Sequence, residues 1–150
     1  MRLLYRILPT NRLLHIKKIK DNAICNLCHT NEQDLMHLFW DCTVVQQFWN
    51  YVTNNFLVKL PHTQTFQLSK ELIIFGTKKH MVTDKPMDLF ILNSKYYIYS
   101  CKMADKMPNG AIYLKIFKQR YYLEKYYYAK RNNQFFENLW NPYVATITAL

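Results

Sequence analysis

The chain has 150 residues, half of them hydrophobic, with 12 Tyr, 9 Phe and 3 Trp. That is one domain's worth of core, burying roughly two-thirds of its unfolded surface, and too apolar for a disordered chain. Only two glycines are present, which excludes phosphate-cradling and dinucleotide loops that need several positions tolerant of positive φ or close backbone approach. A formal charge of +10 favours polyanionic partners or an anionic membrane surface.

The excess charge is unevenly spread. Arg2, Arg6, Arg12, Lys17, Lys18 and Lys20 oppose only Asp21, the next stretch carries Glu32, Asp34 and Asp41, and a second basic block runs from Lys102 to Arg131. No run reaches the roughly 18 uncharged apolar residues of a spanning helix, and the opening segment is broken by Arg6 and Pro9 before any cleavage signal. An intracellular protein, nuclear or cytoplasmic, is expected; the KKIK run at Lys17–Lys20 is too short to fix nuclear import.

In chain order, Leu3, Leu4, Ile7 and Leu8 have helical spacing up to Pro9, and Thr10 or Asn11 can cap a further turn reaching Lys18. Asn31 is a possible cap for one or two turns over Gln33–Trp40. A clear helix begins at Thr43, with Gln46 at capping-box spacing and Val45, Phe48, Trp49, Val52 and Phe56 on one face, and ends near Asn55. Val58 to Ser69 reads as a connector, and Glu71–Phe75 as either a strand or a helix end. Pro86 opens another helix with a stripe of Met87, Phe90, Ile91, Ser94, Tyr97, Ile98 and Cys101, leaving Lys95, Tyr99 and Lys102 mostly off it. A final helix is expected from Ala111 towards Arg131, with Ile112, Tyr113, Ile116, Phe117, Leu123 and Tyr127 inward and Lys115, Lys118 and Lys125 opposite. The fold class is therefore mainly α, in three stretches: 1–57 with the cysteine cluster and an N-terminal basic helix, a connector at 58–86, and a basic, Tyr-rich helical region at 87–150.

The chemistry concentrates in CNLCHTNEQDLMHLFWDC. Cys25, Cys28, His37 and Cys42 form C-x2-C-x8-H-x4-C, four soft or borderline ligands suited to a tetrahedral site. Zinc fits because it brings no redox chemistry and accepts mixed thiolate and imidazole ligands. A redox cysteine pair and incidental cysteines are the competing readings. His29 is the rival to His37, but its place beside Cys28 would strain the ligand turn. Four protein ligands leave no open position, so a structural ion is expected and no catalytic or other cofactor-binding residue is assigned. Cys101 reads as a buried small hydrophobe; His15, His62 and His80 read as surface residues. Leu38, Phe39, Trp40, Phe48 and Trp49 are expected to pack the knuckle onto the Thr43 helix rather than to stack on bases.

RILPTNRLLHIKKIKDNAICNLC followed by DLMHLFWDCTVVQQFW resembles the zinc-binding segment beyond the reverse transcriptase domain in LINE-type (non-long-terminal-repeat) retrotransposon polyproteins, and ELIIFG, LNSKYYIYSCK and FFENLW resemble that family's far C-terminal part. The resemblance implies that Cys25, Cys28, His37 and Cys42 hold zinc and that the chain is a C-terminal piece of a larger protein. It also implies RNA or DNA as partner, with the polymerase body as a docking partner. The polymerase's carboxylates are absent: no adjacent Asp pair occurs, and the chain is too short for the polymerase subdomains. A zinc-stabilised nucleic-acid-binding accessory region is thus expected, with Lys17, Lys18, Lys20, Lys115, Lys118 and Lys125 as phosphate contacts. The alternative is a zinc-held scaffold that docks protein.

Overall fold

The computed structural model describes residues 8–61, 67–77, 84–131 and 133–150; the first expected helix, at Leu3–Leu8, lies almost wholly outside them, as do His62 and His80. Six α-helices are described: α1 (Asn11–Ile16), α2 (Thr43–Asn55), α3 (Lys70–Phe75), α4 (Lys85–Met103), α5 (Gly110–Ala129) and α6 (Asn133–Thr148). A π-helical turn at His37–Asp41 and a 3-10 turn at Leu57–Lys59 complete the set. The fold is mainly α, and the one β feature among the described residues is an isolated antiparallel bridge between Ile24 and Glu32.

Helix starts follow local side-chain chemistry. Thr10, Ser69, Asp84 and Asn109 each accept a backbone N–H three residues on, which satisfies an orphan donor of the first turn. α2 departs from its expected capping box: Cys42 occupies the cap position, Thr43 is already helical, and Gln46 Nε2 turns back to donate to the Trp40 carbonyl at 2.7 Å. The ambiguous 71–75 segment is helical. Gly76 ends it at φ 73°, and a Cβ there would lie 2.7 Å from Asp88 Oδ1.

Helices α2, α4, α5 and α6 surround a continuous aromatic core. Phe48 of α2 and Phe56 just past its end meet Tyr97 and Phe90 of α4, and both also touch α5, through Tyr113 and Phe117 respectively. Phe117 leads on to Trp140 of α6, which packs against Tyr121, Phe136 and Tyr143. The cysteine-bearing segment and the Tyr-rich region thus share one core. α5 can approach α2 closely because it begins with Gly110, where a Cβ would lie 2.5 Å from the Tyr51 ring.

Three expectations need correction. α5 turns Tyr113, Leu114, Phe117 and Tyr121 inward, leaving Ile112, Ile116, Leu123 and Tyr127 exposed, because α6 supplies rings that fit the Tyr121 side. α6 itself lies beyond the expected final helix, which was to end towards Arg131, and it runs through Pro142. Lys95 and Lys102 are buried because carbonyls reach them: Lys95 Nζ donates to Ile73 O and Lys102 Nζ to Pro9 O, each at 2.9 Å. Their aliphatic stems lie in apolar surroundings while the ammonium ends find acceptors.

Candidate metal centre

The cluster is assembled from a short hairpin, a π turn and a helix N-terminus. In the hairpin, Cys25 N donates to Asn31 O and Gln33 N to Ala23 O, both at 2.8 Å. Its tip folds over as His29 N reaches Cys25 O at 2.9 Å, with His29 at φ 57°. This left-handed residue directs the chain back after Cys28, while the His29 side chain stays exposed. Asp34 then accepts His37 N at 2.8 Å and starts the next turn; Asn31, the expected cap, does not fill that role.

The five-residue step from His37 to Cys42 explains the π turn. In an α-helix, residues five apart point about 140° away from each other. Here Cys42 N donates to His37 O at 2.9 Å across one wide turn, so the two side chains come round to the same side. Cys42 is then also the first flanking residue of α2, where the helix dipole favours a thiolate.

Cys25, Cys28, His37 and Cys42 present ligand atoms that all lie within 4.8 Å of one another. Cys28 Sγ and His37 Nε2 are 3.2 Å apart. Tetrahedral sulfur ligands at zinc–sulfur distances of about 2.3 Å would be separated by roughly 3.8 Å, so small adjustments close the set around an ion. Cys25, His37 and Cys42 are buried, and Cys28 is half-buried at the rim.

The sulfurs are already surrounded by donors. Leu27 N donates to Cys25 Sγ at 3.4 Å, Gln33 Nε2 to the same sulfur at 3.2 Å, and Thr30 Oγ1 to Cys28 Sγ at 3.2 Å. The hydrogen bond with Cys42, followed by opposing burial and then these N–H groups, leaves Cys25 pulled down to about 4. The same bond, with burial, pushes Cys42 up, against the pull of the Val45 and Val44 amides. The bond between the two sulfurs thus favours the thiolate at Cys25 over that at Cys42. Burial raises Cys28 but is outweighed by its bonds with Thr30, Asn31 and His37; burial lowers His37 but is outweighed by Cys28 and Cys25. This donor set suits a thiolate-bound cation.

Gln33 is the residue that sequence spacing does not reveal. It is fully buried, and besides its bond to Cys25 it donates to Asn26 Oδ1 at 3.1 Å and accepts Asn11 N at 3.3 Å. Asn11, expected only as a possible cap, is buried as well and donates to Ile24 O. Asn26 in turn donates to Lys102 O at 2.8 Å. A polar ring thus ties the hairpin to α1 and to the end of α4. The one available signal was the presence of uncharged amides inside a ligand-bearing loop.

Of the expected packing residues Leu38, Phe39, Phe48 and Trp49 are buried and Trp40 is half-buried against the core, and Trp49 Nε1 donates to Phe39 O at 2.8 Å. Cys101 is buried in α4, where burial raises its thiol pKa; His15 is exposed. Of the candidate phosphate contacts, Lys17, Lys18, Lys115 and Lys125 are exposed and Lys20 and Lys118 half-buried. Lys18 takes φ 56° as α1 ends, with Ile19 N bonded to Leu14 O at 2.9 Å, which fixes the direction of the basic run. Lys118 Nζ donates to Thr148 O at 2.8 Å, at the end of α6.

No family model, curated protein or solved structure matches this chain. Fold and site define a mainly helical protein with a three-cysteine, one-histidine cluster that could hold a metal ion. No helix among the described residues is long and apolar enough to cross a membrane.

Proposed function

We propose that the chain is a non-catalytic, zinc-stabilised nucleic-acid-binding accessory region of a retrotransposon reverse transcriptase, working inside the cell as the C-terminal part of a longer protein. The observation that carries this reading is the four-ligand cluster, Cys25, Cys28, His37 and Cys42, with the exposed Lys17 and Lys18 a few residues before it in the chain. The sequence resemblance to LINE-type polyproteins supplies the biological setting.

Zinc suits three thiolates and one imidazole, and would act by joining hairpin, π turn and α2. The four ligands fill a tetrahedral shell, so no position is left for an activated water or substrate. Lys17, Lys18 and Lys20 would meet RNA or DNA phosphates on one side of the knuckle, with Lys115, Lys118 and Lys125 extending the path; Lys118 would have to leave or share its Thr148 carbonyl.

Native mass spectrometry combined with fluorescence anisotropy over a salt series tests this. The expected result is one zinc per chain and binding that weakens with salt, with the log–log slope falling by about 0.7 to 1 per lysine neutralised among Lys17, Lys18 and Lys20. A folded, zinc-loaded chain that binds neither RNA nor DNA at low salt would overturn the reading. In that event the exposed Ile112, Ile116 and Leu123 of α5 favour the second reading, a scaffold that docks on the polymerase body.

A further inference from the structure

The second half of α5 is covered on one side only. Between Gln119 and Arg131, Tyr121 alone is buried, seated against Phe136 and Trp140 of α6. Tyr122, Tyr126 and Tyr127 point outward with 45%, 65% and 51% of their surface exposed. Interleaved with them are Arg120, Lys125, Lys130 and Arg131, all exposed. The one carboxylate in the stretch, Glu124, is half-buried, and burial raises its pKa against the opposing charge of Arg120.

Rings and cations are also in contact. Lys130 Nζ lies 4.7 Å from the centre of the Tyr126 ring and the Arg131 guanidinium 4.5 Å from that of Tyr127. These contacts hold the side chains beside one another without burying them. Tyr122 and Tyr126, four residues apart, are neighbours on the helix surface with Cβ atoms about 5–6 Å apart. Towards its start the face meets a groove of about 150 Å³ between α4 and α5, lined by Tyr96, Ile116 and Arg120 among others.

A face built this way complements a polyanion that also offers flat apolar surfaces. From Gln119 to Arg131 the exposed side chains are four cations, three tyrosine rings, Gln119, Leu123 and Ala129, with no exposed carboxylate, so the charge of the face selects an anionic partner. In a duplex the bases are stacked on each other and unavailable, whereas in a single strand every base has a free π face. We infer that residues 119–131, the second half of α5 and the two residues that follow it, form a stacking ridge for single-stranded nucleic acid. Unpaired bases lie on Tyr122, Tyr126 and Tyr127, and phosphates meet Arg120, Lys125, Lys130 and Arg131. This rests on the nucleic-acid reading above and gives it a surface and a ligand class.

The test uses the full, zinc-loaded chain and fluorescein-labelled 15-nucleotide oligo(U), alone and annealed to oligo(A). Wild type should bind the single strand more tightly than the duplex at equal salt. Tyr122→Ala and Tyr126→Ala should each weaken single-strand binding about tenfold, as loss of one stacked base predicts, while Tyr122→Phe and Tyr126→Phe keep the ring and retain affinity. Because these side chains are exposed, thermal melts should show all four variants folded; an alanine variant that does not fold is replaced by Tyr→Ser at the same position. Wild-type binding that is unchanged in the alanine variants, or equal for single strand and duplex, overturns the ridge and leaves the broader reading intact. Absence of any wild-type binding to RNA or DNA overturns both.

Discussion

The cysteine-bearing hairpin and the α5–α6 pair are held together by different physics. Around Cys25 the chain is short, polar and turned back on itself, and its order comes from N–H donors aimed at sulfur, from Gln33, and from the ion the four ligands could take. Around Trp140 ring contacts dominate: Phe117, Tyr121, Phe136 and Tyr143 meet it ring against ring, and polar bonds enter at the edge, where Tyr143 Oη donates to buried Asp84. Hydrophobic burial is non-directional and spread over many contacts, whereas a metal centre concentrates its stabilisation in a few bonds that fail together. The first region should therefore respond to chemistry, and the second to shape and volume.

The sharpest way to break the comparison is to remove a ligand. Cys42→Ser, or chelation of the wild type, should abolish metal retention and disorder residues 23–42. Structural zinc contributes on the order of 10 kcal/mol to folding in small metal domains. A fall in melting temperature on the order of 10 °C or more is therefore expected, because α2 begins at the lost ligand. Hydrogen exchange should show protection lost first in the hairpin and π turn and retained longest at Phe117 and Trp140. Equal loss across the chain would mean that the two regions form one cooperative unit. An unchanged melting temperature would mean that the cluster holds no structural ion.

Phe117→Ala probes the other side. Phe117 is buried and touches Phe90 of α4, Trp140 of α6 and Phe56 just past the end of α2, so its removal should cost about 3–5 kcal/mol through lost burial and the cavity left behind. Metal affinity, measured by competition with a chromophoric chelator well below the melting temperature, should stay at the wild-type value. A parallel loss of affinity would show that the aromatic core sets the ligand geometry.

The same contrast governs what could be read from the sequence. The ligand set was legible because Cys25 to Cys42 is self-contained: its spacing encodes its geometry, and even the π turn is foreshadowed by the five-residue step from His37 to Cys42. α2 was legible because Val45, Phe48, Trp49, Val52 and Phe56 stand on one side of an otherwise polar helix. α5 was not, since rings and aliphatic residues surround it and a 3.6-residue period then selects no unique face. What decides is the fit of Tyr121 to Phe136 and Trp140, residues of a helix beyond the last one the pattern assigns. Gln33, Lys95 and Lys102 were missed for a related reason, as their partners lie on other segments and leave no local pattern.

Lys95 provides the smallest and most selective test. It lies on α4 between the two regions, bonded to the Ile73 carbonyl, and burial lowers its pKa from 10.5 to about 8 despite the favourable charge of Asp88. The sign follows from proton counting. Between pH 8 and 10.5 the unfolded chain keeps the proton that the folded chain has released, so folding stability rises with pH across that window, and falls back as pH drops through 8. The upper end is obscured by buried Tyr113 and Tyr143, whose raised pKa values make folding stability fall once unfolded tyrosines ionise near 10. The comparison therefore belongs between pH 8 and 10, on zinc-loaded protein, by urea denaturation of wild type and Lys95→Met side by side. Wild type should gain about 1–2 kcal/mol over that interval relative to the variant. The variant, with no ammonium to desolvate, should differ most from wild type at pH 8. Parallel curves would show that Lys95 keeps its charge when folded, with Asp88 and the Ile73 carbonyl compensating its burial in full.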